Sequence, residues 1–203
     1  MPLVPYTSSD EVRAAIGGSQ FIRPEDYDRG VVAARQQIDR WCGRGFLQDA
    51  VASTREFVVV SCGSLCVGDF TDPSQVVVET DELGDDTWLE WDPSWWRPGA
   101  DDRGNGRYAP LDGEPWRWIV PRGGRKFPIS CDDEPRARAT TRWGWLAAPF
   151  PVLQASMKLS IPFSQNTDQS PQSLEGDPIM LAQGMLMDYA VQGGTLCPDP
   201  LAP

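Results

Sequence analysis

The periodicity of the chain changes at one glycine flanked by two indoles, Trp143-Gly144-Trp145. Before it, Arg136-Ala137-Arg138-Ala139-Thr140-Thr141-Arg142 alternates polar or charged residues with small ones, the two-residue period of a half-buried strand. After it, Pro149 and Pro151 are tolerated only in the first turn of a helix, and Val152, Leu153, Ala155, Ser156, Leu159 and Ser160 recur near a helical period. A strand therefore hands over to a helix here. Gly144 lets backbones approach closely, and Trp143 and Trp145 supply a large apolar plug where sheet meets helix.

Upstream of this junction, from about 53 to 145, the pattern is that of β structure. The stretches 54–60, 64–67, 75–80, 87–91 and 116–120 are rich in β-branched and aromatic residues. Asp72-Pro73-Ser74, Gly84-Asp85-Asp86, Gly104-Asn105-Gly106 and Arg122-Gly123-Gly124-Arg125 separate them with turn chemistry. Helices are predicted on both sides. One spans 8–16, with capping residues at Ser8-Ser9-Asp10. A second spans 24–42, with Pro24 at its start, Tyr27, Val31, Ala34, Ile38 and Trp41 along one face, and Gly43 at its stop. A third follows over 149–161. The class is α+β: N-terminal helices, a small antiparallel β-sheet or sandwich, then C-terminal helices. One domain is expected over 1–163. Residues 164–203 are expected to form a mobile arm with a terminal helix at 178–190 and a disordered proline-rich tail.

Charge and cysteine usage narrow the function. With 18 Lys+Arg against 29 Asp+Glu the net charge is −11, so the surface repels phosphate backbones. No run approaches 18 apolar residues, and Met1-Pro2-Leu3-Val4-Pro5 has no secretory pattern; a soluble protein made in a cytoplasm is expected, with no membrane partner. Five cysteines, an odd number, make reduced thiols the expectation. Cys62 and Cys66 are the one close pair, but a complementary pair is missing and the chain has no histidine, so neither a metal site nor a cofactor is expected. The same lack removes the imidazole base of the common triads, and no enzyme is expected. Acidic pairs such as Asp81-Glu82, Asp85-Asp86, Asp101-Asp102 and Asp132-Asp133 read as solvated turns, and Arg122-Gly123-Gly124-Arg125-Lys126 as a hairpin tip.

The surplus of aromatic residues points to surfaces. Nine tryptophans occur, six of them (Trp88, Trp91, Trp95, Trp96, Trp116, Trp118) in the β region. Exposed indoles in a row would suit a carbohydrate-binding module, which is the alternative reading; a hydrolase using a metal held by converging carboxylates is a third. Core or subunit packing is the reading adopted for Trp41, Trp143, Gly144, Trp145, Trp95 and Trp96. In the terminal helix, Leu181, Met185, Leu186 and Tyr189 lie among further apolar residues nearly all round, so it is either buried in its own domain or docked on another subunit.

Taken in order, these features resemble the head-tail connector (head-to-tail adaptor) proteins of long-tailed bacteriophages. The resemblance runs from about Pro5 to Tyr189. It is carried by Ile38-Asp39-Arg40-Trp41-Cys42-Gly43-Arg44-Gly45-Phe46, Thr54-Arg55-Glu56-Phe57, Leu65-Cys66-Val67-Gly68-Asp69-Phe70, Val76-Val77-Val78, Gly113-Glu114-Pro115-Trp116, and Arg142-Trp143-Gly144-Trp145 running to Pro149. It implies a non-enzymatic virion part, assembled in the host cytoplasm. This part would be a homo-oligomeric ring, commonly of twelve copies, that sits in the neck between the portal protein and a downstream neck or tail-completion protein. It also implies that Leu181, Met185, Leu186 and Tyr189 dock on the portal or a neighbour. Genomic DNA would pass through the lumen without specific binding, and Asp81, Glu82, Asp85 and Asp86 are expected to line that bore, since like charge prevents binding by counterion release.

Overall fold

A computed structural model describes residues 4–17, 22–99, 113–131, 134–165 and 177–189 of the chain. The elements run α1 (Ser9–Ala15), α2 (Pro24–Cys42), β1 (Ser53–Phe57), β2 (Leu65–Phe70), β3 (Val77–Thr80), β4 (Leu89–Glu90), β5 (Trp96–Gly99), β6 (Trp116–Pro121), β7 (Ala137–Thr141), α3 (Phe150–Gln165) and α4 (Asp177–Leu186). The class is α+β, with helices, antiparallel strands and helices in the order expected from the sequence. Two compact units result. Among the described residues, α1 to α4 belong to a unit drawn from Met1–Leu47 and Ala148–Gln192, and β1 to β7 to a unit within Gln48–Ala147.

In the helical unit, local signals place the ends of the first helices. Ser8 and Glu11 close a reciprocal capping box on α1, with Glu11 N–H donating to Ser8 Oγ (3.2 Å) and Ser8 N–H to Glu11 Oε2 (2.7 Å). Pro24 opens α2 and Gly43, at φ +66°, ends it in the left-handed region. α2 buries Tyr27, Val31, Ala34 and Ile38 as its pattern predicts; Cys42 completes that face, while Trp41 is half-buried. The closest approach is to α3. Ser156, Ser160 and Ser164 recur every four residues on a buried face, and the Ser160 and Ser164 hydroxyls donate to the carbonyls four residues back (2.7 Å each). Ser160 and Ser164 are thus satisfied inside their own helix and the Ser156 hydroxyl pairs with that of Thr7 (3.0 Å), so burying them carries little penalty. Gly30 of α2 meets that face, where a Cβ would lie 2.1 Å from Ser164 Oγ and 2.8 Å from Ser160 O.

The β unit contains two antiparallel sheets, ordered β1-β7-β3-β4 and β2-β6-β5. One core joins them. Phe57, Val78, Ala137 and Ala139 come from the first sheet, Leu65, Val67, Phe70, Trp96 and Ile119 from the second, and Val59, Trp91, Phe127 and Trp143 from between strands. Trp91 stacks on Phe127 (4.7 Å between centroids, 16°) and donates its Nε1–H to Thr80 Oγ1 (2.8 Å).

Four features differ from the sequence expectations. β5 contains Pro98 and breaks the alternating pattern; a proline is accommodated because β5 is an edge strand, where a missing donor leaves no ladder bond unmade. α3 continues through Pro162 to Gln165, four residues beyond the expected end, because Phe163 and Ser164 are buried there. At Arg122–Arg125, Gly123 (φ +64°) and Gly124 (φ +80°) do form a tight turn closed by Arg125 N–H to Arg122 O (3.1 Å). The chain does not return along β6, however: Phe127 N–H bonds Cys62 O and Ser130 N–H bonds Val59 O, so no hairpin forms. Finally, Cys42, Cys62 and Cys131 are free, but Cys66 is disulfide-bonded, which an odd cysteine count does not forbid. The polar stretch 166–176, the tail, the Gly104-Asn105-Gly106 turn and the acidic pairs at 101–102 and 132–133 lie outside the described residues.

Replacing Gly30 with alanine drives a methyl group into backbone and is expected to destabilise the protein by about 2 kcal/mol. The same change at Gly184 in α4, which has no heavy atom within 4 Å of an added Cβ, should instead stabilise its helix by roughly 0.5–1 kcal/mol. Thermal unfolding followed by circular dichroism checks both: Tm falls for Gly30→Ala and does not fall for Gly184→Ala.

Candidate functional site

The Trp-Gly-Trp step is fastened on both sides within the β unit. Trp143 is buried, donates its Nε1–H to Ser53 O at the start of β1 (2.9 Å), meets Phe57 edge-on, and carries the Arg55 guanidinium 4.4 Å from its ring centroid. Gly144 adopts φ +102°, a region closed to residues with a Cβ, and donates its N–H to Asp69 O (2.7 Å). Trp145, also buried, donates its Nε1–H to Asp69 Oδ2 (2.9 Å), and Arg117 Nε lies 3.3 Å from the other oxygen of that carboxylate. Asp69 thus ties β2, β6 and the step together. Sequence reasoning missed it, since an aspartate after a glycine on a strand carries no signal of partners that lie far along the chain; the only hint was its place in Leu65–Phe70, beside Gly68 at φ +89°.

The remaining tryptophans are covered to different degrees, and none is exposed. Trp91 and Trp96 are buried; Trp41, Trp88, Trp95, Trp116 and Trp118 are half-buried. Trp95 and Trp96 are not successive strand positions: Trp95 ends a short 3-10 turn (Pro93–Trp95), packs on the core and lies under the Arg125 guanidinium (3.5 Å to the centroid), while Trp96 opens β5. The row of exposed indoles on which a sugar-binding surface would depend is not formed.

The acidic loop is organised by one of its own carboxylates. Asp81 is 3% exposed; its Oδ1 accepts from Gly84 N–H (2.6 Å) and Asp85 N–H (3.3 Å), and its Oδ2 from Asp86 N–H (3.1 Å). Burial raises the Asp81 pKa, but the three backbone donors and the Arg136 charge outweigh it, and the carboxyl titrates below the usual aspartate range. The Asp81 carboxylate is therefore committed to its own loop and not exposed to a channel, which corrects the sequence expectation for this residue: an acceptor turned inward onto three amides cannot also face a lumen. Glu82, Asp85 and Asp86 remain exposed around it, with Leu83 at the apex and Asp86 held at φ +63°.

α4 presents two faces. Ala182 and Leu186 are buried, and Tyr189, just beyond the helix, meets Phe46 edge-on while Arg44 Nε donates to Tyr189 O (2.9 Å). Leu186 is consequently committed to its own unit and is not available for docking, again correcting the sequence expectation. The opposite face is apolar and exposed: Met180 (71%), Leu181 (54%) and Met187 (72%), with Gly184 between them; Met185 is half-buried. Met180 and Leu181 lie on the helix and Met187 in the turn that follows it, exposed like them, a distinction the all-round apolar pattern concealed.

Among the described residues, no three His, Cys, Asp or Glu side chains converge to hold a metal ion. No described helix is long and apolar enough to cross a membrane.

The depressed Asp81 pKa sets a pH dependence. A carboxylate whose folded pKa lies below its unfolded value stabilises the fold above the unfolded pKa, and that stabilisation is lost as pH falls through the folded pKa. Asp81→Asn is expected to lower Tm at neutral pH, with the gap to wild type closing progressively below about pH 4. A gap that stays constant with pH would show that the charge does not act.

No family model matches the chain, and no curated protein does. Among solved structures, it is similar to a chain in the neck of an empty GTA particle computed with C6 symmetry (15% identity, 96% of each chain covered, TM-score 0.56). It is also similar to a chain in the virion of a native gene transfer agent (GTA) particle (15% identity, 95% of this chain and 96% of that one, TM-score 0.54). The likeness is one of fold, and it extends over nearly the whole of both chains.

Proposed function

We propose that this chain is a non-catalytic structural subunit of the neck of a tailed, phage-like particle. Copies form a ring between the portal protein and a downstream neck or tail-completion protein, and the genomic DNA passes through that ring without specific binding. The observation that carries the reading is a fold likeness covering 96% of this chain and 96% of a neck chain. The sixfold symmetry of that neck favours a copy number that is a multiple of six, and twelve is the number we adopt. The ring is assembled in the host cytoplasm and resides at the head-tail interface of the virion.

The surface chemistry supports this role. A net charge of −11 disfavours retention of DNA in a channel. We place Glu82, Asp85 and Asp86 at the bore, on a loop that Asp81 holds in one shape. Met180, Leu181 and Met187 leave α4 with an apolar face suited to burial against a larger partner, and we assign portal docking to that face rather than to Leu186.

Light scattering of the purified protein, alone and mixed with its portal protein, tests the reading. The expected result is a ring in one or both samples. Met180→Glu with Met187→Glu should leave Tm within the range of ordinary surface substitutions, about 0.5 kcal/mol, while abolishing the mass increase on the portal. A protein that stays monomeric in both samples would overturn the reading.

A further inference from the structure

The sheet β1-β7-β3-β4 buries one face in the core of the β unit, and its strand register determines what the other face displays. Thr54, Thr140 and Val77 form one cross-strand row; Glu56, Arg138, Glu79 and Glu90 form the next. Arg138 is the one cation of the second row. It is held by Glu79 through two hydrogen bonds (Nε to Oε2 2.7 Å, Nη2 to Oε1 2.6 Å) and lies 4.5 Å from the Trp88 ring centroid. Glu79 stands directly opposite Glu90, and like charges facing across a ladder destabilise the pair. Glu56 and Glu90 are exposed; Glu56 faces Arg138 across the ladder and adds to the charges that favour its guanidinium, while no ion-pair contact is formed by Glu90 among the described residues. The second row has three carboxylates and one guanidinium, with apolar ground at Val77 and Trp88 beside it.

The complementary charge lies elsewhere on the same unit, on the turn that follows β6. Arg122 and Lys126 are exposed and form no ion pair with a described residue. Arg125 between them is engaged, over Trp95 and 3.9 Å from Glu82. A Cβ on Gly123 or Gly124 would find no heavy atom within 4 Å, so the tip of the turn stands clear of the body that carries it. The described residues therefore hold a sheet row richer in carboxylates than in cations and a projecting turn with two unpaired cations, and no ion pair joins the two within one copy.

We propose that the basic turn Arg122–Lys126 of one copy docks on the exposed face of the β1-β7-β3-β4 sheet of the next, with Arg122 and Lys126 pairing with Glu56 and Glu90. The inference rests on the ring reading and specifies the contact between neighbours. Two different surfaces of one chain make a heterologous contact, the kind that closes into a cyclic ring. The aliphatic stems of Arg122 and Lys126 would lie on Val77 and Trp88 while their charged ends reach the carboxylates. Because the contact is electrostatic, association weakens as ionic strength rises.

Self-association of the full chain, measured by sedimentation over a concentration series at low and high salt, tests this. Glu90→Lys alone, or Arg122→Glu with Lys126→Glu, should each raise the dissociation constant at least about tenfold without lowering Tm, and Glu90→Lys, which removes the like charge facing Glu79, should raise Tm slightly. Combining Glu90→Lys with Lys126→Glu in one chain should restore association towards wild type. If Glu90→Lys fails to fold, Glu90→Gln reads the same contact with a smaller effect. A wild-type ring that both reversals form equally well would overturn this contact and leave the ring reading standing. A wild-type protein that stays monomeric both alone and on the portal would remove both.

Discussion

The β unit depends on a backbone position that only glycine fills. Gly144 at φ +102° turns the chain so that Trp143 and Trp145 both enter the unit, and their indole donors then find Ser53 O and Asp69 Oδ2. Burying an indole with its N–H unmade costs far more than the bond itself contributes, so these two acceptors are conditions of the packing rather than additions to it. Asp69 must also keep a charge stable with little water around it. The Trp145 N–H donates to one oxygen of that carboxylate, and the Arg117 guanidinium lies against the other as an ion pair.

The helical unit solves a related problem by different means. A close crossing of α2 and α3 requires no side chain on α2 at the contact and small ones on α3, which Gly30 and the serines at 156, 160 and 164 supply. The Ser160 and Ser164 hydroxyls return to their own helix and ask nothing of α2. At both of these contacts the indole N–H groups and the serine hydroxyls are buried where an acceptor already stands.

That surface is uneven. Among the exposed groups, Glu82, Asp85 and Asp86 surround Asp81, Glu56 and Glu90 stand on one face of a sheet, Arg122 and Lys126 flank one turn, and Met180 and Leu181 lie on one side of α4. A monomer that ended at its own surface would gain nothing from separating these groups, since unpaired like charges repel and an apolar helix face in water is unfavourable. An assembly that presents each patch to a different neighbour accounts for the separation, and this is the physical content of the neck-ring proposal.

The sequence by itself determined the elements. Proline and glycine positions set the ends of α2, the period change at Gly144 located the passage from strand to helix, and the β-branched runs placed most strands, because these signals act within a few residues. It failed where a distant contact decides, as in β5 with its Pro98 and α3 continuing through Pro162, and where a side chain folds back onto its own loop, as Asp81 does. It also could not say which side of α4 is free, since Met180, Leu186 and Met187 look alike until Ala182 and Leu186 are seen to be buried. Only the tertiary structure decided that the helices on either side of the β region form one unit and the strands another. Periodicity shows which face of an element must be buried; what buries it depends on pairings between residues far apart in the chain, which local patterns do not encode.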